Sequence, residues 1–519
     1  MKMQLNACML LVALLCSLIP AYGQISNTTA TYWILLNKKD PATAPALSPA
    51  ALTRRQQQHL PIDDTDRPVS AAYVQQLERL GVQTRQQSRW LNAVSARLTT
   101  AQVAQVRTLP FVTAVQPIDP AIVITSIGPD PVAPMQLAPV ITQIQGPDFV
   151  QAGLTGRFVN IGVIDAGFFG ADSTNALRHV FARDGVRQIR DYVHHKKPVG
   201  NLLRTLETMS DMHGTEVLAA IAGSDPTENI QYGLATDAQF YLARSDQGNR
   251  EYRGEEDNWI AAMEWMDSLG VRLINTSLGY AKGMSNPKEN YEPSQMDGHT
   301  SLISRAAQLA ADKKGILIVV SAGNEGDDRS WRVISTPADA EGVLAIGATN
   351  SRLWNRIGYS SIGPETLPYL KPNVACFSLF GTSLSAPVIT GFAACIMQAN
   401  PKLTNKEVIA IIEKSSHLYP YGNNYIGYGV PQASRALALL KNQPLPPTAR
   451  QVKANGKTLT VAVKTTEPTV SVFRKKDATH VLRQESTKVS NGKITLKRGP
   501  GEQRATVDLK SEVIEVVWD

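Results

Sequence analysis

Val159-Asn160-Ile161-Gly162-Val163-Ile164-Asp165-Ala166-Gly167 is an apolar run that stops on a carboxylate and a glycine. Four of its first six residues are β-branched, the type that packs well on a pleated strand. It does not alternate cleanly with polar residues, so both faces of the strand should be buried. Comparable runs recur at 240–243, 273–276, 316–321 and 343–348, with helix-like patterns at 259–269 and 302–312 between them. Buried strands separated by helices specify a mainly parallel sheet covered on both faces, an α/β three-layer fold. In such open sheets functional groups gather beyond the carboxyl ends of the strands. Asp165 is placed there, with Gly167 allowing a sharp turn after it.

Three further segments carry chemistry. His213 lies in Ser210-Asp211-Met212-His213-Gly214-Thr215-Glu216-Val217, just ahead of an apolar helical pattern over 217–222. Ser383 lies in Gly381-Thr382-Ser383-Leu384-Ser385-Ala386-Pro387, followed by a long apolar helix to residue 400. Pro387 is tolerated near a helix start and not in its interior, so Ser383 is expected at the first turn. A helix start offers unpaired N–H groups and the positive end of the dipole, which stabilise an oxyanion. Asn324 lies in Ser321-Ala322-Gly323-Asn324-Glu325-Gly326, after the buried run 316–320.

In the order Asp165, His213, Ser383 these motifs resemble the subtilisin-like serine protease (subtilase) family. The resemblance rests on Val163-Ile164-Asp165-Ala166-Gly167, His213-Gly214-Thr215, Ser277-Leu278-Gly279, Ala322-Gly323-Asn324-Glu325 and Gly381-Thr382-Ser383 with Ala386-Pro387, and spans about residues 155–440. It implies a serine endopeptidase working through an acyl-enzyme. Asp165, His213 and Ser383 would be its catalytic triad. Asn324 and the Ser383 N–H would form the oxyanion hole. Ser277, Leu278 and Gly279 would form an edge that pairs with the substrate backbone. The segment upstream resembles the family's inhibitor-type propeptide.

The 519 residues carry 43% hydrophobic and 19% charged side chains and a net charge of +7. That is the composition of a globular chain of several domains, and it gives no nucleic-acid signature. Residues 1–23 read as an export signal: Lys2, an apolar run over 8–19, and Ala21-Tyr22-Gly23 before a cut ahead of Gln24. Export to the cell envelope or medium follows, and no later stretch reads as a membrane span. Residues 24–120 show strand, helix, strand, helix and strand patterns at 32–36, 69–80, 88–98, 99–109 and 111–115, with room for a strand near Val82. That order suits a small α+β ferredoxin-like propeptide. Residues 121–145 are rich in Pro, Ile and Gln without helix periodicity, and are expected to be a linker holding the maturation cut. The catalytic domain is expected over 146–440 and a Pro-rich spacer over 441–450. A small all-β domain follows over 451–519, with strands at 458–464, 470–473, 481–485, 493–497, 505–510 and 513–518. Residues 442–519 hold 14 Lys/Arg against 8 Asp/Glu, read as a solvated basic surface, with contact to nucleic acid or an anionic envelope surface as the alternative.

Several features depart from the family's pattern. Glu216 stands where a second histidine is common. The path from residue 375 to Gly381 is short, so residues 377–380 are expected to reshape the wall of the substrate pocket, and Phe380 takes a place often held by a small polar residue. Glu255, Glu256 and Asp257 are expected at the surface, as a solvated charge run or as a rim favouring basic substrate side chains. Cys376 and Cys395 would remain after the signal, as one disulfide or as two buried thiols, the second being favoured. No metal-ligand spacing stands out and no cofactor is required, which leaves room only for structural calcium of the kind some subtilases bind. The partners implied are a protein or peptide substrate and the chain's own propeptide. Two alternatives remain. One is a catalytically inactive binding scaffold on the same fold. The other is an α/β-hydrolase esterase, which would want Gly-x-Ser-x-Gly and a histidine last in the chain.

Overall fold

The computed structural model describes residues 29–118, 123–124, 134–194, 202–246, 254–282 and 290–519. The export signal expected over 1–23 and residues 121–122 and 125–133 of the expected linker fall outside the described residues.

Seven parallel strands form the central sheet, in the order Val374–Phe377, Leu344–Thr349, Leu317–Ser321, Leu273–Thr276, Asn160–Asp165, Gln239–Arg244 and Val186–Asp191. The decisive run of the sequence sits near the middle, where the order of connection reverses. Ile161 and Val163 point into a core shared with the helices His213–Ala222 and Ala386–Ala399. Ile164 points the other way, into a core shared with the helices Gly254–Ser268 and Leu302–Lys314. Gly162 is small for a reason: a Cβ there would lie 2.3 Å from Met266 Sδ, so the helix Gly254–Ser268 packs directly on the backbone.

Upstream lies a four-stranded antiparallel sheet in the order Gln83–Ser88, Ala93–Thr99, Thr29–Leu36, Val112–Ile118, the ferredoxin-like order. Helices Ala71–Arg79 and Thr100–Arg107 pack with it, and Thr99 caps the second through the Gln102 N–H. The strand given room near Val82 is Gln83–Ser88, and the one expected over 88–98 begins later, at Ala93. Residues 89–92 turn between them, with Asn92 in the left-handed region at φ 48°. A helix at Pro49–Gln57, absent from the sequence reading, is capped by Ser48 and buries Arg54 and Arg55.

The linker expected over 121–145 is overturned at its C-terminal end. Pro134–Gln143 is helical despite Pro139. Val140, Ile141 and Ile144 are buried in the main core, and the Phe377 N–H donates to Gln143 Oε1 at 2.7 Å. Tertiary burial supplies what the periodicity lacked.

The C-terminal region is all-β. A five-stranded sheet (Ala449–Ala454, Val513–Trp518, Arg504–Asp508, Thr469–Lys475, Val481–Lys488) is joined by the pair Thr458–Ala462 and Lys493–Lys497. The strand Ala449–Ala454 begins inside the stretch read as a spacer. Cys376 and Cys395 are buried and unpaired, and burial pushes both thiols up. Residues 382–399 are apolar and long enough to cross a membrane by composition, contrary to the sequence reading. The stretch is 89% buried, so the interior accounts for its apolarity.

Candidate active site

Asp165 closes its strand at the carboxyl edge of the sheet and is fully buried. Its Oδ1 accepts from the Ala166 N–H at 2.8 Å and lies 2.6 Å from His213 Nδ1. A carboxylate facing Nδ1 fixes that nitrogen as the N–H donor and leaves Nε2 with the lone pair. His213 opens its helix, and Gly214 behind it fits tightly: a Cβ there would lie 2.3 Å from the Gly167 carbonyl oxygen and 3.0 Å from Asp165 Cβ. Burial disfavours the imidazolium, but the charge and hydrogen bond of Asp165, helped by Glu216 and Asp246, outweigh it and hold His213 above its ordinary value. Glu216 is half-buried. Desolvation pushes its carboxyl up to about 7, His213 opposing and Asp165 adding to the rise.

Ser383 lies in the 3-10 turn Thr382–Leu384, three residues ahead of Ala386, where the helix Ala386–Ala399 begins, rather than inside its first turn. Gly381 enters the turn at φ 111°, a conformation that favours glycine. The His213 helix packs along the Ser383 helix and its preceding turn, which brings the imidazole and the hydroxyl to one edge. The second link of the expected triad is not closed: His213 Nε2 is buried and makes no hydrogen bond. Such bonds are often long before substrate is bound.

Beyond the strand Leu317–Ser321, Asn324 Oδ1 accepts from the Thr382 N–H at 2.9 Å and from Thr382 Oγ1 at 3.1 Å. A backbone N–H can only donate, so the side-chain oxygen must face Thr382 and the amide nitrogen faces away from it. The buried Glu325 accepts from the Asn324 N–H at 2.9 Å.

Sequence reasoning gave Ser277 to a substrate edge and missed a second contact. Its hydroxyl donates to the Ser383 carbonyl at 2.9 Å and accepts from Asn275 Nδ2 at 3.2 Å, and Asn275 is held by Thr390 at 2.8 Å. Leu278 and Gly279 pair antiparallel with Ile124 and Val123, from the segment that follows the upstream domain.

Glu255, Glu256 and Asp257 are neither a solvated run nor a rim. All three are buried in the first turn of the helix Gly254–Ser268. Asp257 pairs with Arg85 at 3.2 Å and accepts from Ser95 Oγ at 2.5 Å, and Glu256 accepts from Tyr291 Oη at 2.8 Å. Further along the same helix, Glu264 accepts from Ser88 Oγ at 2.6 Å and from the Arg89 and Trp90 N–H groups at 2.9 and 3.2 Å. Asp267 gathers Arg54, Arg55 and Arg89. One helix face thus carries three carboxylates read by the upstream domain. Among the described residues no group of three or more His, Cys, Asp or Glu side chains is placed to hold a metal ion.

A Ser, a His–Asp pair and an amide beside a helix start, at the carboxyl edge of a parallel sheet, define a serine hydrolase of the acyl-transfer kind. The particular family follows from comparison. Residues 156–429 match the model of the subtilase family, and residues 31–126 match the Peptidase S8 propeptide domain of Bacteroidota. The chain belongs to the subtilase family and is a serine endopeptidase with a propeptide domain. It is 29% identical to subtilisin DY of Bacillus licheniformis over 276 residues, 50% of this chain and 85% of that one. It is 28% identical to subtilisin NAT of Bacillus subtilis subsp. natto over 305 residues, 56% of this chain and 68% of that one. The crystal structure of fervidolysin from Fervidobacterium pennivorans, a keratinolytic enzyme related to subtilisin, is similar in fold. It has a TM-score of 0.51 at 17% identity, over 93% of this chain and 71% of that one.

Proposed function

We propose that this endopeptidase is exported and made as a self-inhibited precursor. Residues 1–23 are its signal, 24–120 a removable inhibitor, 146–440 the peptidase and 451–519 an attached β domain. Ser383 Oγ attacks the scissile carbonyl while His213 Nε2 takes its proton and then delivers it to the leaving amine. Water hydrolyses the acyl-enzyme by the same relay. Asp165 orients the imidazole and stabilises its charged form. Asn324 and the Ser383 N–H hold the oxyanion, and residues 277–279 pair with the substrate backbone.

The observation that carries this reading is the buried 2.6 Å contact of Asp165 with His213 Nδ1, on a helix packed against the turn that bears Ser383. Self-inhibition draws support from the pairing of Val123–Ile124 with Leu278–Gly279, which puts the chain's own backbone on the edge assigned to substrate. The test is N-terminal sequencing of secreted wild type beside Ser383→Ala, with fluorophosphonate labelling of both. The wild type should lose a segment ending within 115–145 and take up the label. The mutant should keep the segment and stay unlabelled. Labelling of Ser383→Ala, or its normal processing, would refute the assignment.

A further inference from the structure

The C-terminal β domain reaches the proposed oxyanion site through one side chain. We propose that Gln484, on the strand Val481–Lys488, is a positioning residue for Asn324, acting through residues 356–361. This rests on the reading of Asn324 as an oxyanion donor.

Gln484 pairs with both peptide groups of Arg356: its Oε1 accepts from the Arg356 N–H at 3.1 Å and its Nε2 donates to the Arg356 carbonyl at 2.7 Å. The two bonds face opposite ways along one amide, so they fix the register of the loop start as a strand partner would. Arg356 then folds back over its own loop, donating from Nη1 to the carbonyls of Gly358 and Ser360, each at 2.6 Å. Its guanidinium lies over the Tyr425 ring, 4.8 Å from the centroid.

From this clamped loop two struts run to the site. The first reaches Asn324. The Gly326 N–H donates to the Tyr359 carbonyl at 2.7 Å and the Ser361 N–H to the Gly323 carbonyl at 3.0 Å. Ser361 Oγ accepts from the Glu325 N–H at 3.1 Å and donates to Glu325 Oε2 at 3.2 Å, the same oxygen that holds the Asn324 N–H. The contact is close enough to need glycine: a Cβ on Gly326 would lie 2.0 Å from the Ser360 carbonyl oxygen. The second strut reaches the serine turn. Tyr359 Oη donates to the Ser378 carbonyl at 2.8 Å, and Ser378 Oγ donates to the Gly381 carbonyl at 2.7 Å, two residues before Ser383. Residues 356–361 therefore span both proposed oxyanion donors, and Gln484 anchors the end of the span that faces the β domain.

Oxyanion donors act on a charge present only in the transition state, so a displaced donor lowers kcat and leaves KM nearly unchanged. The experiment compares Gln484→Leu, Asn324→Ala, their combination, and Lys476→Ala on a chromogenic peptide. Lys476 pairs with Glu365 at the same domain interface, without touching the 356–361 loop. Gln484→Leu should lower kcat about tenfold, given that ångström-scale misplacement costs up to about a hundredfold. KM should stay within about twofold. In the Asn324→Ala background the further loss should shrink, because the part carried through Asn324 is already gone and only the strut to the serine turn remains. Lys476→Ala should match wild type. Gln484→Glu, which keeps the acceptor and loses the donor, should fall between Gln484→Leu and wild type, and it serves if Gln484→Leu fails to fold. An unchanged kcat, or an equal loss with and without Asn324, overturns the proposal. If Asn324→Ala itself leaves kcat unchanged, the reading of Asn324 fails and the role of Gln484 with it.

Discussion

Replacing Asp267 by Ala should loosen the upstream domain from the peptidase without unfolding either. The Asp267 side chain is fully buried and accepts from Arg54, from Arg55 Nη2 at 3.0 Å and from Arg89 Nη2 at 2.8 Å. The three arginines do not suffer equally. Arg55 retains Asp66 at 2.7 and 2.8 Å, and Arg89 retains the Glu264 carbonyl at 2.8 Å. Arg54 retains only the Val271 carbonyl at 2.9 Å, so one buried guanidinium loses its counter-charge. Breaking a buried pair from one side costs about 3–5 kcal/mol. At about 1.4 kcal/mol per tenfold, docking weakens by roughly a hundredfold to a few thousandfold. Hydrogen exchange on the Ser383→Ala precursor can read this. The Arg89 and Trp90 amides donate across the interface to Glu264, whereas amides of the strand Ala93–Thr99 are protected by the domain's own sheet. Protection should fall by that factor at Arg89 and Trp90 and persist in the strand. Equal protection at Arg89 and Trp90 in both proteins would refute the reasoning.

Asn324→Ala should lower kcat by about 10²–10³ with KM nearly unchanged, the usual loss for one oxyanion donor; a KM effect alone would remove Asn324 from that role. His213 must be neutral to act as base, and its pKa is raised, so kcat/KM should fall as pH drops through a value above the ordinary 6.5. Glu216 contributes to that rise, so in Glu216→Gln the acid limb should move to lower pH, and a pH–rate profile with an unmoved limb would count against the coupling. Gly214→Ala would set a Cβ 2.3 Å from the Gly167 carbonyl oxygen and 3.0 Å from Asp165 Cβ, forcing the His213 helix away from its carboxylate. Activity should drop by up to about a hundredfold in a protein that still folds, and full activity would show that the helix accommodates the methyl without moving.

The catalytic sheet was legible because its strands are buried on both faces and read as unbroken apolar runs. Each of the five strand positions taken from sequence in that region lies within a residue of an observed strand. The edge strand Val186–Asp191 was missed for the complementary reason: it is half exposed and carries Arg187 and Arg190 among its few apolar residues. The positions of Asp165, His213 and Ser383 at one sheet edge were legible because glycines and helix starts mark where backbone turns there. Ser277's bond to the Ser383 carbonyl had no such mark, since a serine after an apolar run looks like any strand end. The helix Pro134–Gln143 was hidden by Pro139 and by polar residues such as Gln143, whose partners lie more than 200 residues away in the chain.

The misreading of Glu255, Glu256 and Asp257 has a deeper cause. A charge run is read as solvated because water is the cheapest partner for a carboxylate, yet here Arg85 and Ser95 of another domain take that place at Asp257 and Tyr291 takes it at Glu256. On the proposed maturation this face has two environments. It is covered in the precursor and meets water once the upstream domain is released. An apolar face would suit only the first state and would leave an adhesive patch in the second. Carboxylates suit both, since Asp257, Glu264 and Asp267 are paired while docked and hydrated when free. The charge pairs work beside an apolar seam, in which Trp33, Trp90, Ala93 and Ile118 of the upstream domain share one core cluster with Trp259, Met263 and Trp265, and sequence periodicity, which registers only the exposed character of the carboxylates, overlooks the docked face.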